Sequence, residues 1–82
     1  MNEKKWFVYL LECGDGSYYI GVTNDLDKRM KAHVTGKGSK YVNQKGFGKL
    51  LRFKVCKDKS DACKREYEIK QLHRSRKLGW FD

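Results

Sequence analysis

The chain has 82 residues, with 19 Lys and Arg against 10 Asp and Glu, and therefore a formal net charge of +9. A chain of this length buries only about 60% of the surface that its unfolded form exposes, which leaves room for one small domain, residues 1–82, and excludes paired substrate and cofactor domains. Hydrophobic residues make up 39% and aromatic residues 13%, enough for a folded core, so disorder is not expected.

The basic residues are spread along the whole chain, a charge distribution that fits a polyanionic partner. The alternative is a solvated basic surface without any partner. No window approaches the roughly 18 consecutive apolar residues of a membrane span, and no segment forms a basic helix with a bulky apolar face, so we expect no membrane contact. Charge alone does not separate DNA from RNA, or binding from cleavage.

The cysteines are odd in number and no pair has zinc-finger spacing. They are Cys13, Cys56 and Cys63. The first six residues contain no apolar run of the secretory type. We therefore expect a cytoplasmic protein with reduced, partly buried thiols, and a structural disulfide is the alternative.

A β-hairpin is predicted at the start of the chain. Residues 6–11 are an apolar, aromatic and β-branched run of strand length, and residues 18–23 form a second such run. Between them the Asp15-Gly16 pair is a strong turn signal.

Two helices and a third strand are predicted after the hairpin. Apolar residues at helical spacing indicate a helix over about residues 25–35, with Asn24 as its N-cap. Residues 36–49 are interpreted as mostly loop with room for a helical turn, residues 50–56 as a strand, and Ser60 as the cap of a helix that runs to about residue 73, followed by a short tail. The predicted fold is α+β, a three-stranded antiparallel sheet flanked by helices in the order β-β-α-β-α.

The hairpin has a predicted register. A loop centred on Asp15 pairs Leu11 with Tyr19 and Tyr9 with Gly21. Tyr9 and Tyr19 then become diagonal neighbours on one face, roughly 7–8 Å apart at the backbone. Gly21 would leave space opposite Tyr9 for a ligand or another backbone segment. The alternative is that these aromatic residues only pack a core.

The first helix brings together two residues suited to phosphate chemistry. Arg29 and His33 lie one turn apart, at the edge of the apolar stripe. Arginine binds phosphate through two parallel hydrogen bonds, and histidine exchanges protons near neutral pH. The alternative is a surface arginine beside a half-buried histidine.

The second helix places one carboxylate inward. Glu66 shares a sector of the helical wheel with Ile69 and His73, whereas Glu68 falls well outside this sector. An inward carboxylate is costly unless it is paired, protonated or bound to a metal ion. An ion pair with Arg29 or a hydrogen bond from a tyrosine are the structural alternatives.

Five segments of the chain have a distinctive order and spacing. They are Phe7-Val8-Tyr9, Tyr19-Ile20-Gly21, Thr23-Asn24-Asp25-Leu26 with Arg29 and His33, residues 36–41, and Arg65-Glu66-Tyr67-Glu68. With these motifs the chain, from about residue 5 to residue 78, resembles the small single-domain bacterial branch of the GIY-YIG nuclease superfamily. Two departures stand out. Phe7 replaces a signature glycine, and no asparagine follows Asn43, whereas larger members of the family use one after the glutamate.

The resemblance implies divalent-metal-dependent phosphodiester cleavage. Matched position by position, it implies that one Mg²⁺ or Mn²⁺ binds Glu66 and that the catalytic residues are Tyr9, Tyr19, Arg29, His33 and Glu66. One carboxylate can hold a single ion that keeps most of its water ligands. A cluster of two metal ions would need more carboxylates.

The residue types fit this chemistry. Tyr9, with its pKa lowered by Arg29 and the metal ion, would act as a tyrosinate base and relay its proton to His33. Arg29 would neutralise the phosphate, and Tyr19 would position the phosphate or the water. Further contacts with nucleic acid are expected from Lys37, Lys40, Tyr41 and Arg65.

Three functions remain open. The first is a small DNA endonuclease of the kind used in DNA repair, acting as a monomer on DNA. The second is a non-catalytic nucleic-acid-binding module on the same scaffold. The third is a subunit that cleaves only with a partner protein, which would supply substrate specificity.

Overall fold

The computed structural model describes residues 5–82. The expectation that the chain has no secretory signal is based on residues 1–6, most of which lie outside the described residues. Within the described range the chain forms three strands and four helices. They are β1 Trp6–Cys13, β2 Tyr18–Thr23, α1 Leu26–Val34, α2 Lys40–Lys45, β3 Phe47–Cys56, α3 Lys59–Lys70 and α4 Arg74–Phe81.

The three strands form one antiparallel sheet in the order β2-β1-β3. This confirms the predicted α+β fold, a three-stranded antiparallel sheet flanked by helices. The hairpin register is also confirmed, with Leu11 opposite Tyr19 and Tyr9 opposite Gly21. At the turn the Asp15 carboxylate accepts hydrogen bonds from the amide and the hydroxyl of Ser17, at 3.0 and 2.6 Å.

The two faces of the sheet carry different clusters, because side chains alternate along each strand. The face that we call the α3 face packs on α3 and α4, and its buried residues are Val8, Leu10, Ile20, Cys56, Ala62 and Ile69. The opposite face, which we call the α1 face, packs on α1 and α2, and its buried cluster is Tyr9, Leu11, Cys13 and Val42. The central strand β1 therefore contributes to both clusters.

Residues 36–49, predicted as mostly loop with room for a helical turn, contain more regular structure than expected. Residues 40–45 form α2, where the Ser39 hydroxyl accepts from the amide of Val42 at 3.5 Å and Val42 itself is buried. Gly46, with φ of 85°, ends this helix. Strand β3 begins at Phe47 rather than at residue 50, and the absent side chain of Gly48 lets β3 lie close to the backbone of β1.

Two helix caps differ from the prediction. Helix α1 is capped by Asp25 rather than Asn24, because the Asp25 carboxylate accepts from the amide of Lys28 at 3.1 Å. Helix α3 is capped by Asp58 rather than Ser60, because the Asp58 carboxylate accepts from the Asp61 amide at 2.8 Å. In both places an aspartate close by in the chain satisfies the free amides of the first turn.

The C-terminal residues form a helix rather than a short tail. Helix α3 ends at Lys70, so His73 does not lie on it; the His73 side chain instead accepts from the Ser75 amide and caps α4. The ammonium of Lys77 donates to the carbonyls of Ile69 and Leu72 at 3.0 and 2.9 Å, which fixes α4 against the end of α3.

The three cysteines carry free thiols. Cys13 and Cys56 are buried and Cys63 is exposed. In the part of the chain that the structure describes, every helix is too short or too polar to cross a membrane.

Candidate active site

A buried hydrogen bond between a phenol and an imidazole lies at the centre of the α1 face. Tyr9 is 1% exposed and His33 is 2% exposed. The hydroxyl of Tyr9, from the central strand, lies 2.8 Å from Nε2 of His33, in the last turn of α1. Helix α1 and strand β1 thus bring together two of the residues that the sequence predicted for the site.

Tyr19 completes an aromatic triangle with this pair. Its ring centroid lies 6.2 Å from that of Tyr9 and 5.6 Å from that of His33. The predicted diagonal placement of Tyr9 and Tyr19 is therefore confirmed. Tyr41 of α2 stacks on Tyr19, with centroids 6.0 Å apart and planes inclined by 27°.

The expected open space at Gly21 is filled by the protein itself. A Cβ atom at Gly21 would lie 2.5 Å from the hydroxyl oxygen of Tyr9 and 2.9 Å from Cε2 of Tyr19. The expectation that a ligand or another backbone segment approaches there is wrong, because Tyr9 reaches across the glycine. The glycine is needed so that both tyrosine rings fit over β2.

A second glycine, which the sequence analysis did not single out, covers the other side of the imidazole. A Cβ atom at Gly38 would lie 2.5 Å from Nδ1 of His33. The carbonyl of Gly38 accepts from Nη1 of Arg29 at 3.4 Å. Nδ1 of His33 has no hydrogen-bond partner among the residues that the structure describes. The sequence signal is the Gly36-x-Gly38 pair, which belongs to the matching segment of residues 36–41 and for which we expected loop structure.

Burial keeps both members of the pair neutral. Desolvation raises the pKa of Tyr9 above its ordinary value of 10, the charges of Tyr19 and Glu66 add to the rise, and Arg29 opposes it. The lowering by Arg29 that we expected is present, but burial outweighs it. The contribution expected from a metal ion stays a prediction. Desolvation, with a further contribution from Arg29, lowers the pKa of His33. At pH 7 the pair is a phenol and an uncharged imidazole.

The two glutamates of α3 lie in different surroundings. The Glu66 side chain is 24% exposed, and its Oε2 lies 3.2 Å from the ammonium of Lys70. Glu68 is exposed and accepts from Nε1 of Trp80 at 3.2 Å. The predicted difference between an inward Glu66 and a solvated Glu68 is confirmed. The partner of Glu66 is Lys70, one turn further along α3, rather than Arg29 or a tyrosine. The i, i+4 spacing of the two residues in the sequence is the signal for this ion pair.

The four residues expected to contact nucleic acid do not form one surface. Tyr41 stacks at the site, Lys40 is exposed at the start of α2, and Lys37 lines a groove with Arg29. Arg65 is held by Asp61 at 3.1 Å and lines a separate groove with residues 57–64.

The described residues offer one carboxylate for a metal ion at this site. They contain no group of three or more His, Cys, Asp or Glu side chains that could hold an ion. Glu66 is partly accessible and already has a cation, the Lys70 ammonium, against its oxygen. This donor set fits a hard cation that keeps most of its water and also binds a phosphate, as Mg²⁺ does.

Comparison with known families points to a nuclease superfamily. A family model described as the GIY-YIG catalytic domain matches residues 5–78. The chain therefore belongs to the GIY-YIG family.

Two relatives are bacterial proteins, and the match covers about three quarters of each. A UPF0213 protein of Xanthomonas axonopodis pv. citri is 42% identical over 77 residues, which are 94% of this chain and 76% of that protein. A UPF0213 protein of Clostridium perfringens is 49% identical over 72 residues, which are 88% of this chain and 77% of that protein.

A solved structure supports the fold. It is the solution NMR structure of a UPF0213 protein from Bacillus halodurans, with 42% sequence identity and a TM-score of 0.57. The match covers 93% of this chain and 81% of that one.

Proposed function

We propose that the protein is a metal-dependent endonuclease that hydrolyses phosphodiester bonds in DNA. The observation that carries the proposal is the buried 2.8 Å hydrogen bond between Tyr9 and His33, with the charges of Arg29 and Glu66 close enough to shift the pKa of Tyr9. Burying polar groups of this kind costs stability. A packed core needs neither group, so a chemical role explains the pair better than packing does.

The pair would activate water by relay. A water molecule gives its proton to the oxygen of Tyr9 while Tyr9 passes its own proton to Nε2 of His33. Tyr9 is a neutral phenol before and after this step, and the positive charge ends on the imidazole. The raised pKa of Tyr9 and the lowered pKa of His33 both maintain the starting state at neutral pH.

Arg29 and Tyr19 would hold the phosphate. Arg29 is half-buried, and the carbonyl of Gly38 orients its guanidinium. A guanidinium fixed beside the relay is suited to stabilise the charge that builds on the phosphate oxygens. Tyr19 touches both members of the relay and would orient the phosphate or the water.

Glu66 would hold the single Mg²⁺ or Mn²⁺. When bound, the ion supplies positive charge to the phosphate and to the leaving oxygen. The ammonium of Lys70, whose side chain is 54% exposed, can move into solvent when a divalent ion takes its place.

The test is metal-dependent cleavage of labelled DNA by the purified protein and by two matched variants. Glu66→Gln keeps the shape of the side chain and removes its charge, so we expect cleavage to be lost while the melting temperature changes little. Glu68→Gln lies two residues away on the same helix and should cleave like the unchanged protein. Equal loss in both variants would contradict the role of Glu66.

The same assay separates the competing functions. DNA binding with no cleavage under any metal condition would favour the non-catalytic module. Cleavage that appears only after a second protein is added would favour a subunit whose partner supplies specificity.

A further inference from the structure

A groove between the hairpin turn and α4 leads to the candidate site. It consists of two adjoining cavities of about 520 and 290 Å³, which share Tyr18, Tyr41 and Lys77. The larger cavity is bounded by Arg74, and the smaller one reaches Tyr19. We call this continuous surface the tyrosine groove.

Tyr41 gives the tyrosine groove an aromatic platform. One face of its ring stacks on Tyr19, and the side chain is nevertheless 41% exposed. The ammonium of Lys45 lies over the same ring, 5.8 Å from its centre, and also pairs with Asp15 at 3.5 Å. A base that stacks on Tyr41 therefore displaces this ammonium towards Asp15. An exposed aromatic face beside a cation is the kind of surface on which a nucleobase stacks.

Arg74 gives the groove an oriented positive charge. Its guanidinium lies 4.3 Å from the ring centre of Tyr18, and its Nη2 donates to the carbonyl of Gly16. These two contacts use one of the five donors of arginine, so the others are available to a phosphate.

The other charged groups of the groove leave its potential positive. The ammonium of Lys77 binds the carbonyls at the end of α3 and lies beside Tyr18. Lys70, which lines the smaller cavity, is paired with Glu66 at 3.2 Å. The acid at the far end, Asp15, is paired with Lys45 at 3.5 Å.

We propose that the tyrosine groove binds unpaired nucleotides next to the bond that is cleaved, with a base on Tyr41 and a backbone phosphate at Arg74. This inference rests on the proposed nuclease function and adds the form of its substrate. Only an unpaired base presents its face to a protein ring, because the faces of paired bases are covered inside the duplex stack. The substrate therefore has a single-stranded segment beside the cleavage position.

The first test measures stacking. Binding of a short labelled deoxythymidine strand, and of a duplex of equal length, is followed by fluorescence anisotropy in EDTA, where no cleavage occurs. Tyr41→Leu should weaken binding of the single strand by about tenfold, within the range of one lost base–aromatic stack, and Tyr41→Phe should bind normally. Tyr67→Leu, which changes a tyrosine of α3 that is 69% exposed and lies outside the groove, is the matched control and should bind normally.

The second test measures the phosphate contact. The logarithm of the affinity for the single strand falls as the logarithm of the salt concentration rises. Losing one phosphate contact makes this dependence shallower by about 0.7. Arg74→Gln should show this decrease. Arg76→Gln removes an equal charge from the same helix, outside the groove, and should keep the slope of the unchanged protein.

Three results would overturn the inference. They are equal effects of Arg74→Gln and Arg76→Gln, equal binding by the two Tyr41 variants, or tighter binding of the duplex than of the single strand. Melting temperatures within a few degrees establish that each variant is folded. Since binding is measured without metal, the groove can fail while Glu66-dependent cleavage stands, and cleavage can fail while the groove binds.

Discussion

The two faces of the sheet use alternate residues of the same central strand for different purposes. On the α3 face the buried side chains are all apolar. On the α1 face the strand buries the hydroxyl of Tyr9 against His33, whose second ring nitrogen has no partner in the described part of the chain. A small protein can keep such an unfavourable arrangement on one face because the other face is an ordinary core, and polar groups of this kind concentrate at functional sites.

The largest expected effect is on the cleavage rate, after a substitution on the α1 face. Tyr9→Phe keeps the ring and deletes the hydroxyl, so single-turnover cleavage should slow by about 10²- to 10⁴-fold, the usual contribution of one general base. Tyr19→Phe should cost less, because its hydroxyl is not part of the relay. Normal cleavage by Tyr9→Phe would contradict the catalytic role and show that Tyr9 only packs the core.

A substitution at Leu10, the next residue of β1 on the α3 face, should lower stability and leave the cleavage rate unchanged. Leu10→Ala leaves a cavity in the apolar cluster and should lower the free energy of unfolding by about 2–5 kcal/mol, measured by urea denaturation. Its folded fraction should cleave at the normal rate. Loss of catalysis at unchanged stability in Leu10→Ala would break the division between the faces.

The next effect concerns a glycine of the α1 face. In Gly21→Ala the new methyl group meets the hydroxyl of Tyr9 at 2.5 Å, and the buried ring has little room to move. We expect a loss of about 1–3 kcal/mol in stability, as in other overpacked cores, together with slower cleavage.

Gly79→Ala is the matched control for this change. Gly79 lies in α4, and a Cβ atom there would meet nothing within 4 Å. Replacing an unstrained helical glycine should raise stability by up to about 1 kcal/mol. Changes of the same sign in both variants would show that the contact with Tyr9 does not decide the outcome.

The smallest effect is the pH dependence of stability. Because the pKa of His33 is lowered in the folded protein, the unfolded chain binds the proton more readily, with a pKa of about 6.5. The stability that His33 contributes is present above that value and is lost as pH falls towards the folded pKa, at up to about 1.4 kcal/mol per pH unit. Urea denaturation between about pH 7.5 and about pH 5, the range in which histidine titrates, measures this loss.

Two variants assign the pH dependence to its residue. His33→Gln should flatten it, whereas His73→Gln, at the exposed cap of α4, should leave it unchanged. The opposite result would place the titrating group outside the α1 face.

The features that the sequence predicted correctly are those set by local chemistry. The hairpin register follows from an Asp-Gly turn and strict alternation, and the inward direction of Glu66 follows from helical periodicity. Helix α1 spans the predicted segment, since its apolar spacing and the stop at Gly36 are both local signals.

The features that the sequence analysis missed depend on tertiary packing. The sequence indicates no more than room for a helical turn at α2, because its six residues are too few for periodicity to be visible. The helix is held by burial of Val42. Helix α4, predicted only as a short tail, is fixed by the bonds of Lys77 to the carbonyls at the end of α3. The direction of the pKa shift of Tyr9 depends on how deeply the helices and the Gly38 segment bury the pair, which no spacing in the chain reveals.

The most direct test of the account is the pH dependence of single-turnover cleavage by the unchanged protein at saturating Mg²⁺. A neutral relay needs only an unprotonated His33, whose pKa is lowered, and a phenol that keeps its proton. The account therefore predicts a rate that is constant from about pH 6.5 upward to about pH 9 and falls only below that range. A tenfold rise in the rate for each pH unit across this range would contradict the neutral relay, because a free tyrosinate or hydroxide would then be the base.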